Sequence, residues 1–214
     1  MKLYTYFRSS AAYRVRIALN LKGLAYDAVP VHLLRDGGEQ LAPAYREVNP
    51  AGLVPALVDN GIVLTQSLAI MEYLEEVHPM VPLLPQDAVG RARVRALAQT
   101  IACDTHPLMN LRVLKHIKGP MGLSEEQKMD WYYHWMGEGM NALEAHLERD
   151  GDVGRFCYGD TPTIADCCLV PQYYNAVRWE LDLGPYPLIR RVVAACQELE
   201  AFRSAAPEMQ PDAP

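Results

Sequence analysis

Residues 6–19 read YFRSSAAYRVRIAL and join the end of a predicted strand to a short polar turn and the first turns of a predicted helix. Residues 2–7 alternate as strand residues do, and apolar residues after the turn recur at helical spacing. A serine at a helix start lies beside unpaired backbone N–H groups and the positive end of the helix dipole. The stretch therefore predicts a helix over residues 10–21, with Ser9 and Ser10 acting either as a cap alone or as a site for an anion.

The first part of the chain alternates strand patterns with helix patterns. A hairpin signal, Asp59-Asn60-Gly61, separates the last two strands. The predicted strands cover residues 2–7, 25–33, 53–58 and 62–64, and the predicted helices cover residues 10–21, a weak piece ending near 50, and 67–77. This β-α-β-α-β-β-α order is typical of a thioredoxin-like domain, which we assign to residues 1–81.

The second part is predicted to be all helical. Pro79, Pro82 and Pro85 mark a linker, and the strand patterns stop after it. Predicted helices cover residues 88–118, 124–148, 163–179 and 186–201, within a second domain over residues 87–214. Residues 205–214 are polar and rich in proline, so we expect them to be loosely packed. The predicted fold class is α/β plus all-α, with an N-terminal thioredoxin-like domain followed by a C-terminal helical bundle.

Composition restricts the partners and the compartment. The chain has 214 residues, 50% of them hydrophobic, and a formal net charge of −6 at pH 7. It has no basic tract, which argues against nucleic acid, and no apolar run near the ~20 residues of a membrane span. The five cysteines form no C-x-x-C pair and the six histidines are scattered, so neither disulfides nor a metal site is predicted. We expect a cytoplasmic protein without a signal peptide.

Pro55 stands inside an otherwise good strand pattern. Proline removes a donor from strand pairing and is rare in central strands. One alternative is a cis Val54-Pro55 peptide bond that turns the Val54 backbone outward, where its N–H and C=O can pair with an extended peptide. The other alternative, which base rates favour, is an ordinary proline at the start or the edge of a strand.

Residues 65–70, TQSLAI, begin the next predicted helix. We expect Ser67 to cap this helix, and the Ser67 and Leu68 amides then point at a ligand carboxylate. Gln66 adds an amide group that both donates and accepts hydrogen bonds. A cap without a ligand is the competing interpretation.

The second part carries a few polar residues that are candidates for binding. His106 and Asn110 are four residues apart and share a face of the predicted helix, unless Pro107 ends or kinks it. A structural histidine is the competing interpretation for His106, and an exposed helix cation is the competing interpretation for Arg178. Two motifs are assigned to folding: a capping box over residues 163–166, TIAD, and aromatic packing over residues 131–135, WYYHW.

A set of short motifs follows in fixed order along nearly the whole chain. They are FRSS (7–10), RVRIAL (14–19), NP (49–50), VP (54–55), QSLAI (66–70), EYLEE (72–76), LLP (83–85), NLRVL (110–114), GD (159–160), AD (165–166), LVPQ (169–172) and DLGPYP (182–187). Together they resemble the zeta class of glutathione transferases. The resemblance implies a glutathione-dependent, homodimeric isomerase acting on maleylacetoacetate in tyrosine and phenylalanine catabolism, with bacterial maleylpyruvate isomerases as near relatives.

The resemblance also implies roles for individual residues. It implies a catalytic group of Arg8, Ser9 and Ser10, in which the serines lie beside the thiolate of glutathione. The residues implied to bind glutathione are Ser9, Ser10, Gln40, Val54, Pro55, Gln66, Ser67, His106, Asn110 and Arg112. Those implied to bind the substrate, a small cis-enone dicarboxylate, are Arg8, His106, Arg112 and Arg178.

One position departs from the family pattern. The family motif usually reads Ser-Ser-Cys, and Ala11 occupies the third position here. A protein thiol at this point therefore takes no part. If the reaction is that of the family, the resemblance implies that the nucleophile is the thiol of glutathione, which adds to the double bond, lets it rotate and leaves. Three alternatives stay open: a maleylpyruvate isomerase of gentisate-type degradation, a glutathione transferase acting on small haloacids, and a non-catalytic binding protein.

Overall fold

The computed structural model describes residues 1–214, and residue contacts divide the chain into two units. Met1–Leu84 and Gln197–Pro214 form the first unit, and Pro85–Cys196 forms the second. The last 18 residues of the sequence therefore pack with the first unit, whereas the sequence analysis placed them in the helical domain.

A four-stranded sheet forms the middle of the first unit. The strands are β1 (Lys2–Thr5), β2 (Asp27–Pro30), β3 (Ala56–Asp59) and β4 (Ile62–Thr65), in the order β2-β1-β3-β4. Strand β1 is parallel to β2 and antiparallel to β3, and β3 is antiparallel to β4. The predicted hairpin turn is confirmed, because Asn60 and Gly61 both have positive φ, 48° and 81°, as a tight two-residue turn requires.

Three helices accompany the sheet along the chain: α1 (Ser10–Leu21), α2 (Pro43–Val48) and α3 (Ser67–Val77). The predicted bounds of α1 and α3 agree with the structure. Helices α1 and α3 bury their apolar stripes against the sheet, and the fully buried core consists of Leu3, Val15, Leu19, Leu57, Ile70 and Leu74. Burying a side chain of this size is worth about 1.5–3 kcal/mol, so this cluster contributes strongly to the stability of the first unit.

The second unit is helical, as predicted. Its helices are α4 (Ala88–Gln99), α5 (Leu111–Lys118), α6 (Glu125–Asp150), α7 (Ile164–Arg178) and α8 (Pro187–Gln197). The last residue of α8 belongs to the first unit, which also contains the short helix α9 (Glu200–Arg203). None of these helices is long and apolar enough to cross a membrane. All five cysteines are free thiols, and no group of three or more potential ligand side chains is placed to hold a metal ion.

The single helix predicted over residues 88–118 is wrong. Helix α4 continues into a π turn, Thr100–Thr105, and then a 3-10 turn, His106–Met109, before α5 begins. Pro107 has no N–H group and its ring crowds the carbonyl of the residue four positions earlier, which disfavours a continuous α-helix through this segment. The change of helix type places His106 and Asn110 in different elements.

The capping box before α7 is confirmed. The Asp166 carboxylate accepts hydrogen bonds from the Thr163 N–H and hydroxyl and from the Cys157 N–H, all at 2.8 Å. Asp166 is fully buried, and burial also raises the pKa of the neighbouring Cys157 thiol well above its ordinary value. The motif therefore acts in folding, and this thiol stays protonated near neutral pH.

Residues 205–214 are not loosely packed, contrary to the expectation from their composition. Ala205 and Pro207 are buried, and Gln210 donates hydrogen bonds to the carbonyls of Ser204 and Ala206 at 3.0 and 2.9 Å. The segment is held by backbone groups and by contacts with residues near the start of the chain. Contacts this distant in sequence leave no local pattern.

Candidate functional site

The register of the sheet brings four loops of the first unit to one end. Tyr4 pairs with Ala56, which pairs with Thr65, and Thr5 pairs with Pro30 of the parallel strand. The residues that follow β1, β2 and β4, and those that precede β3, therefore lie at the same end of the sheet. These loops, with the first residues of the helices that follow them, contain every residue of the first unit that was proposed for binding: Arg8, Ser9, Ser10, Gln40, Val54, Pro55, Gln66 and Ser67.

Ser9 is the N-cap of α1. Its Oγ accepts a hydrogen bond from the Ala12 N–H at 3.2 Å, and its own N–H donates to the Tyr6 carbonyl at 2.9 Å. A hydroxyl that accepts one hydrogen bond still has its O–H to donate. The cap and the anion site are thus compatible, and the half-buried Ser9 can do both. Ser10 follows as the buried first residue of the helix.

Arg8 lies next to Ser9 on an aromatic support. Its Nη2 donates to the Tyr6 hydroxyl at 3.3 Å, and its guanidinium carbon lies 4.9 Å from the centre of the Phe7 ring. These contacts orient the guanidinium, and most of its five N–H donors remain for an anion. The positive charge is therefore placed beside the start of α1, where the helix dipole has the same sign.

The Val54-Pro55 peptide bond is cis, which decides between the two alternatives left by the sequence. The Leu53 carbonyl accepts hydrogen bonds from the Tyr45 hydroxyl and from Asn49 Nδ2, each at 2.7 Å, so the approach to Val54 is fixed. Strand β3 begins only at Ala56. The N–H and C=O of Val54 consequently stay outside the sheet and are suited to pair with another extended backbone.

The start of α3 differs from the expectation in one respect. Gln66, with φ 69° and ψ 116°, occupies the N-cap position and makes no side-chain cap, so Ser67 is the first helical residue and not the cap. The Ser67 hydroxyl instead accepts a hydrogen bond from Arg14 Nη1 of α1, at 3.2 Å. A non-glycine residue at positive φ is strained, and such residues are frequent at ligand sites. The first N–H groups of α3 have no partner within the helix.

Gln40 gives the clearest sign of a ligand in this region. It is buried, and its Oε1 atom is inaccessible and accepts no hydrogen bond. The turn that carries it is fixed by Glu39, whose carboxylate accepts a hydrogen bond from the His32 N–H at 2.6 Å. A buried carbonyl oxygen without a partner costs about 1–3 kcal/mol, which a hydrogen-bond donor on a ligand would remove.

The proposed residues of the second unit are more scattered. Half-buried His106 begins the 3-10 turn, and the Asn110 side chain caps α5 by accepting from the Val113 N–H at 3.1 Å. The expectation that these two share a helix face is therefore wrong, because the helix is interrupted at Pro107. Arg112 is exposed in the first turn of α5. Arg178 is exposed at the end of α7, with its guanidinium 5.0 Å from the centre of the Trp179 ring.

The aromatic stretch of α6 links two of these segments within the second unit. Trp131 Nε1 donates to the Leu108 carbonyl at 2.8 Å, and the Tyr133 hydroxyl donates to the Trp179 carbonyl at 2.9 Å. The stretch therefore supports both the turn that carries His106 and the helix end that carries Arg178. The sequence analysis assigned it to packing and missed these two hydrogen bonds.

Arg14 and Arg16 are the main residues that sequence reasoning missed in the first unit. Both are buried in α1, where the sequence analysis used them only as part of a motif. The available signal was the presence of two cations in a helix that is otherwise apolar. Arginine is almost never fully buried unless it has partners, so each of them had to serve a specific contact.

Comparisons with known proteins match two successive parts of the chain. Residues 8–77 match the family model of the glutathione S-transferase N-terminal domain, and residues 136–207 match that of the C-terminal domain. A maleylacetoacetate isomerase of Pseudomonas aeruginosa is 51% identical over 215 residues, which cover 100% of this chain and 99% of that protein.

Two solved structures are similar over their full length. A holo structure of maleylpyruvate isomerase, a bacterial glutathione S-transferase in the zeta class, has 51% identity and a TM-score of 0.96, with 100% of both chains covered. A maleylacetoacetate isomerase from Methylobacterium extorquens AM1, with bound malonate and GSH, has 44% identity and a TM-score of 0.96, again with 100% of both chains covered.

Proposed function

This chain belongs to the zeta class of the glutathione transferases, and on that premise we propose that it is a glutathione-dependent cis–trans isomerase. Its substrate is maleylacetoacetate and its product is fumarylacetoacetate, an isomerisation within the breakdown of tyrosine and phenylalanine. The observation that carries the proposal is the register of the sheet. It gathers the Ser9 turn, the Val54 backbone and the start of α3 at one end of the first unit.

Glutathione fits the groups that these loops present. Gln40 has a buried oxygen that needs a donor, and Val54 has backbone groups outside the sheet. Two helix starts, with Ser9 and Ser67, suit the carboxylates and the sulfur of an anionic tripeptide. We assign the tripeptide to Gln40, the Val54-Pro55 bond, Gln66 and Ser67, and its sulfur to Ser9 and Ser10.

When bound, glutathione supplies a thiolate that adds reversibly to the carbon–carbon double bond of the substrate, so that the bond can rotate. The task of the protein is to keep the sulfur ionised near neutral pH. The Ser9 hydroxyl donates a hydrogen bond for this purpose, and the positive end of α1 adds a favourable field. The turn itself supplies no protein thiol, because Ala11 follows the two serines and the first unit contains no cysteine.

Arginine side chains are proposed to hold the substrate, since each carboxylate can accept two parallel hydrogen bonds from a guanidinium. Arg8 also places a fixed positive charge near the reacting atoms, where negative charge develops on oxygen. In the second unit we propose Arg112 and Arg178 as carboxylate anchors, with His106 and Asn110 as further contacts to glutathione or substrate. Arg178→Ala is expected to raise KM for the diacid about tenfold with KM for glutathione unchanged, as the loss of one charged hydrogen bond predicts.

We propose that the protein is a cytoplasmic homodimer. The edge strand β4 exposes Ile62 and Val63, which are 56% and 45% accessible, and Met80 nearby in sequence is 90% accessible. Exposed apolar residues on an edge strand suit an interface between protein chains. Light scattering after size exclusion should give twice the 24.0 kDa mass of the chain, and a mass of one chain would contradict the proposal.

A maleylpyruvate isomerase is the second candidate, because the solved structure with that activity is 51% identical to this chain. The test is an isomerase assay with purified protein on maleylacetoacetate and on maleylpyruvate, each with and without glutathione. We expect glutathione-dependent turnover with a higher kcat/KM for maleylacetoacetate. A higher value for maleylpyruvate would favour the second candidate. Binding to a glutathione column without turnover of either diacid would contradict both candidates.

A further inference from the structure

The segment of residues 205–214 is folded against the loop that carries Ser9. The Phe7 N–H donates a hydrogen bond to Asp212 Oδ2 at 2.9 Å, although the two residues are 205 positions apart. Ala213 packs on a buried cluster of the first unit that contains Tyr6, Phe7 and Val54. The segment therefore touches the loop after β1 and packs on the cluster to which Val54 of the loop before β3 belongs. The proposed function places glutathione at these two loops.

Arg16 ties the same segment to the same loop from inside the unit. Its guanidinium is inaccessible and donates to the Phe7 carbonyl at 2.9 Å, to the Tyr6 carbonyl at 3.3 Å and to the Thr5 hydroxyl at 3.0 Å. Its Nε donates to the Ala205 carbonyl at 3.0 Å. Burial lowers the pKa of Arg16 to about 10, and the nearby charge of Asp212 works against this effect.

These bonds fix both sides of the peptide groups that lead to Ser9. The N–H of Phe7 is held by Asp212, its C=O is held by Arg16, and the Tyr6 C=O also accepts the Ser9 N–H. A loop whose backbone is held at several points has little freedom to move. The position of the Ser9 hydroxyl thus depends on a carboxylate near the other end of the sequence.

We propose that Asp212 is a positioning residue for the glutathione site, and that it acts by holding the Phe7 peptide and so the Ser9 turn. This inference rests on the proposed function, because the proposed function supplies glutathione as the ligand that the turn binds. The second carboxylate oxygen of Asp212 is buried and accepts no hydrogen bond, so the side chain is kept here at some cost. A residue that served only to fill space would not need a carboxylate oxygen that accepts the Phe7 N–H.

The test compares Asp212→Ala, Asp212→Asn and Asp27→Ala. Asparagine can still accept from the Phe7 N–H through its side-chain oxygen. Asp27 is the matched control, since it is an exposed aspartate of β2 in the same unit. Calorimetry measures the Kd for glutathione, and hydrogen exchange measured without ligand reports on the backbone amides of the turn.

We expect Asp212→Ala to weaken glutathione binding about tenfold, or ~1.4 kcal/mol, and to speed exchange at the Phe7 amide. Asp212→Asn should stay within about threefold of the wild type, since it keeps an uncharged form of the hydrogen bond. Asp27→Ala should change neither measurement. An unchanged Kd in Asp212→Ala would overturn the inference even if its Tm fell, and so would an Asp212→Asn variant as weak as Asp212→Ala.

Failure of the inference can be told apart from failure of the proposed function. If the wild type isomerises and Asp212→Ala binds glutathione equally well, only the inference fails. If glutathione binding responds to Asp212 as expected but no variant isomerises either diacid, only the proposed function fails. A wild-type chain that does not bind glutathione overturns both.

Discussion

Ser9→Ala separates the two tasks that the structure gives to one hydroxyl. The first task is to cap α1 by accepting the Ala12 N–H at 3.2 Å. Replacing a serine N-cap by alanine costs about 1 kcal/mol of stability. In a chain of 214 residues this loss corresponds to a Tm about 2–4 °C lower.

The second task of Ser9 is to stabilise the thiolate of bound glutathione, and its loss has a larger effect. A hydrogen bond to a charged group is worth about 1.5–3 kcal/mol. One pKa unit corresponds to about 1.4 kcal/mol, so the pKa of the bound thiol should rise by about 1–2 units. At a pH below the pKa of the bound thiol in the wild type, the thiolate fraction, and with it kcat, should fall about 10- to 100-fold. The pKa is measured from the ultraviolet absorbance of the thiolate as a function of pH, and kcat from the isomerase assay.

Ser124→Ala is a matched control, because Ser124 caps α6 through the same kind of bond, from the Gln127 N–H at 3.1 Å. It should lower the Tm by a similar amount while the thiol titrates as in the wild type. If Ser9→Ala lowers the Tm as Ser124→Ala does and leaves both the thiol pKa and kcat unchanged, Ser9 is only a cap. The mechanism would then need another donor for the sulfur.

Three further predictions concern stability, each measured by urea unfolding. Lys22→Met breaks a buried ion pair in which Lys22 Nζ lies 2.8 Å from Glu75 Oε2, and it should lower the free energy of unfolding by about 3–5 kcal/mol. A decrease below about 1 kcal/mol would show that the pair is not buried in solution. Gly137→Ala should stabilise α6 by about 0.5–1 kcal/mol because nothing lies within 4 Å of the added carbon. Gly139→Ala should destabilise it by about 1–3 kcal/mol because that carbon would lie 2.2 Å from a threonine hydroxyl of the π turn, and equal effects of the two changes would refute this packing. Burial raises the pKa of Tyr45 from 10.0 to about 12, so its stabilising effect is complete below pH 10 and is lost as the pH rises toward 12; Tyr45→Phe should make stability less sensitive to pH in this window, and an unchanged slope would contradict it.

Sequence patterns predicted the structure correctly where the residues that determine it are neighbours in sequence. The bounds of α1 and α3 and the Asn60-Gly61 turn agree with the structure because caps, periodicity and turn residues act over a few positions. The helix over residues 88–118 failed for the opposite reason. Its apolar spacing continues past Pro107, so the periodicity carried the prediction across the end of α4 at Gln99 and across a π turn that periodicity cannot reveal.

The composition of residues 205–214 was misleading because it describes the segment without its partners. Polar and proline-rich segments are loosely packed when nothing binds their backbone and side chains. Here the Ala205 carbonyl and the Asp212 carboxylate are bound by Arg16 and Phe7, which are near the start of the chain. No property of the ten residues themselves carries that information.

The two buried arginines of α1 show what the pattern of one helix predicts about the site and what it leaves open. Arg14 and Arg16 are two positions apart, so their side chains leave the helix about 200° apart and must reach different neighbours. Arg14 reaches Ser67 at the start of α3, and Arg16 reaches the loop before Ser9. The cost of burying a cation requires that each of these buried arginines has partners, but any acceptor would satisfy that requirement. The identity of the acceptors follows from the order of the strands, because the sheet decides which loops lie on either side of α1.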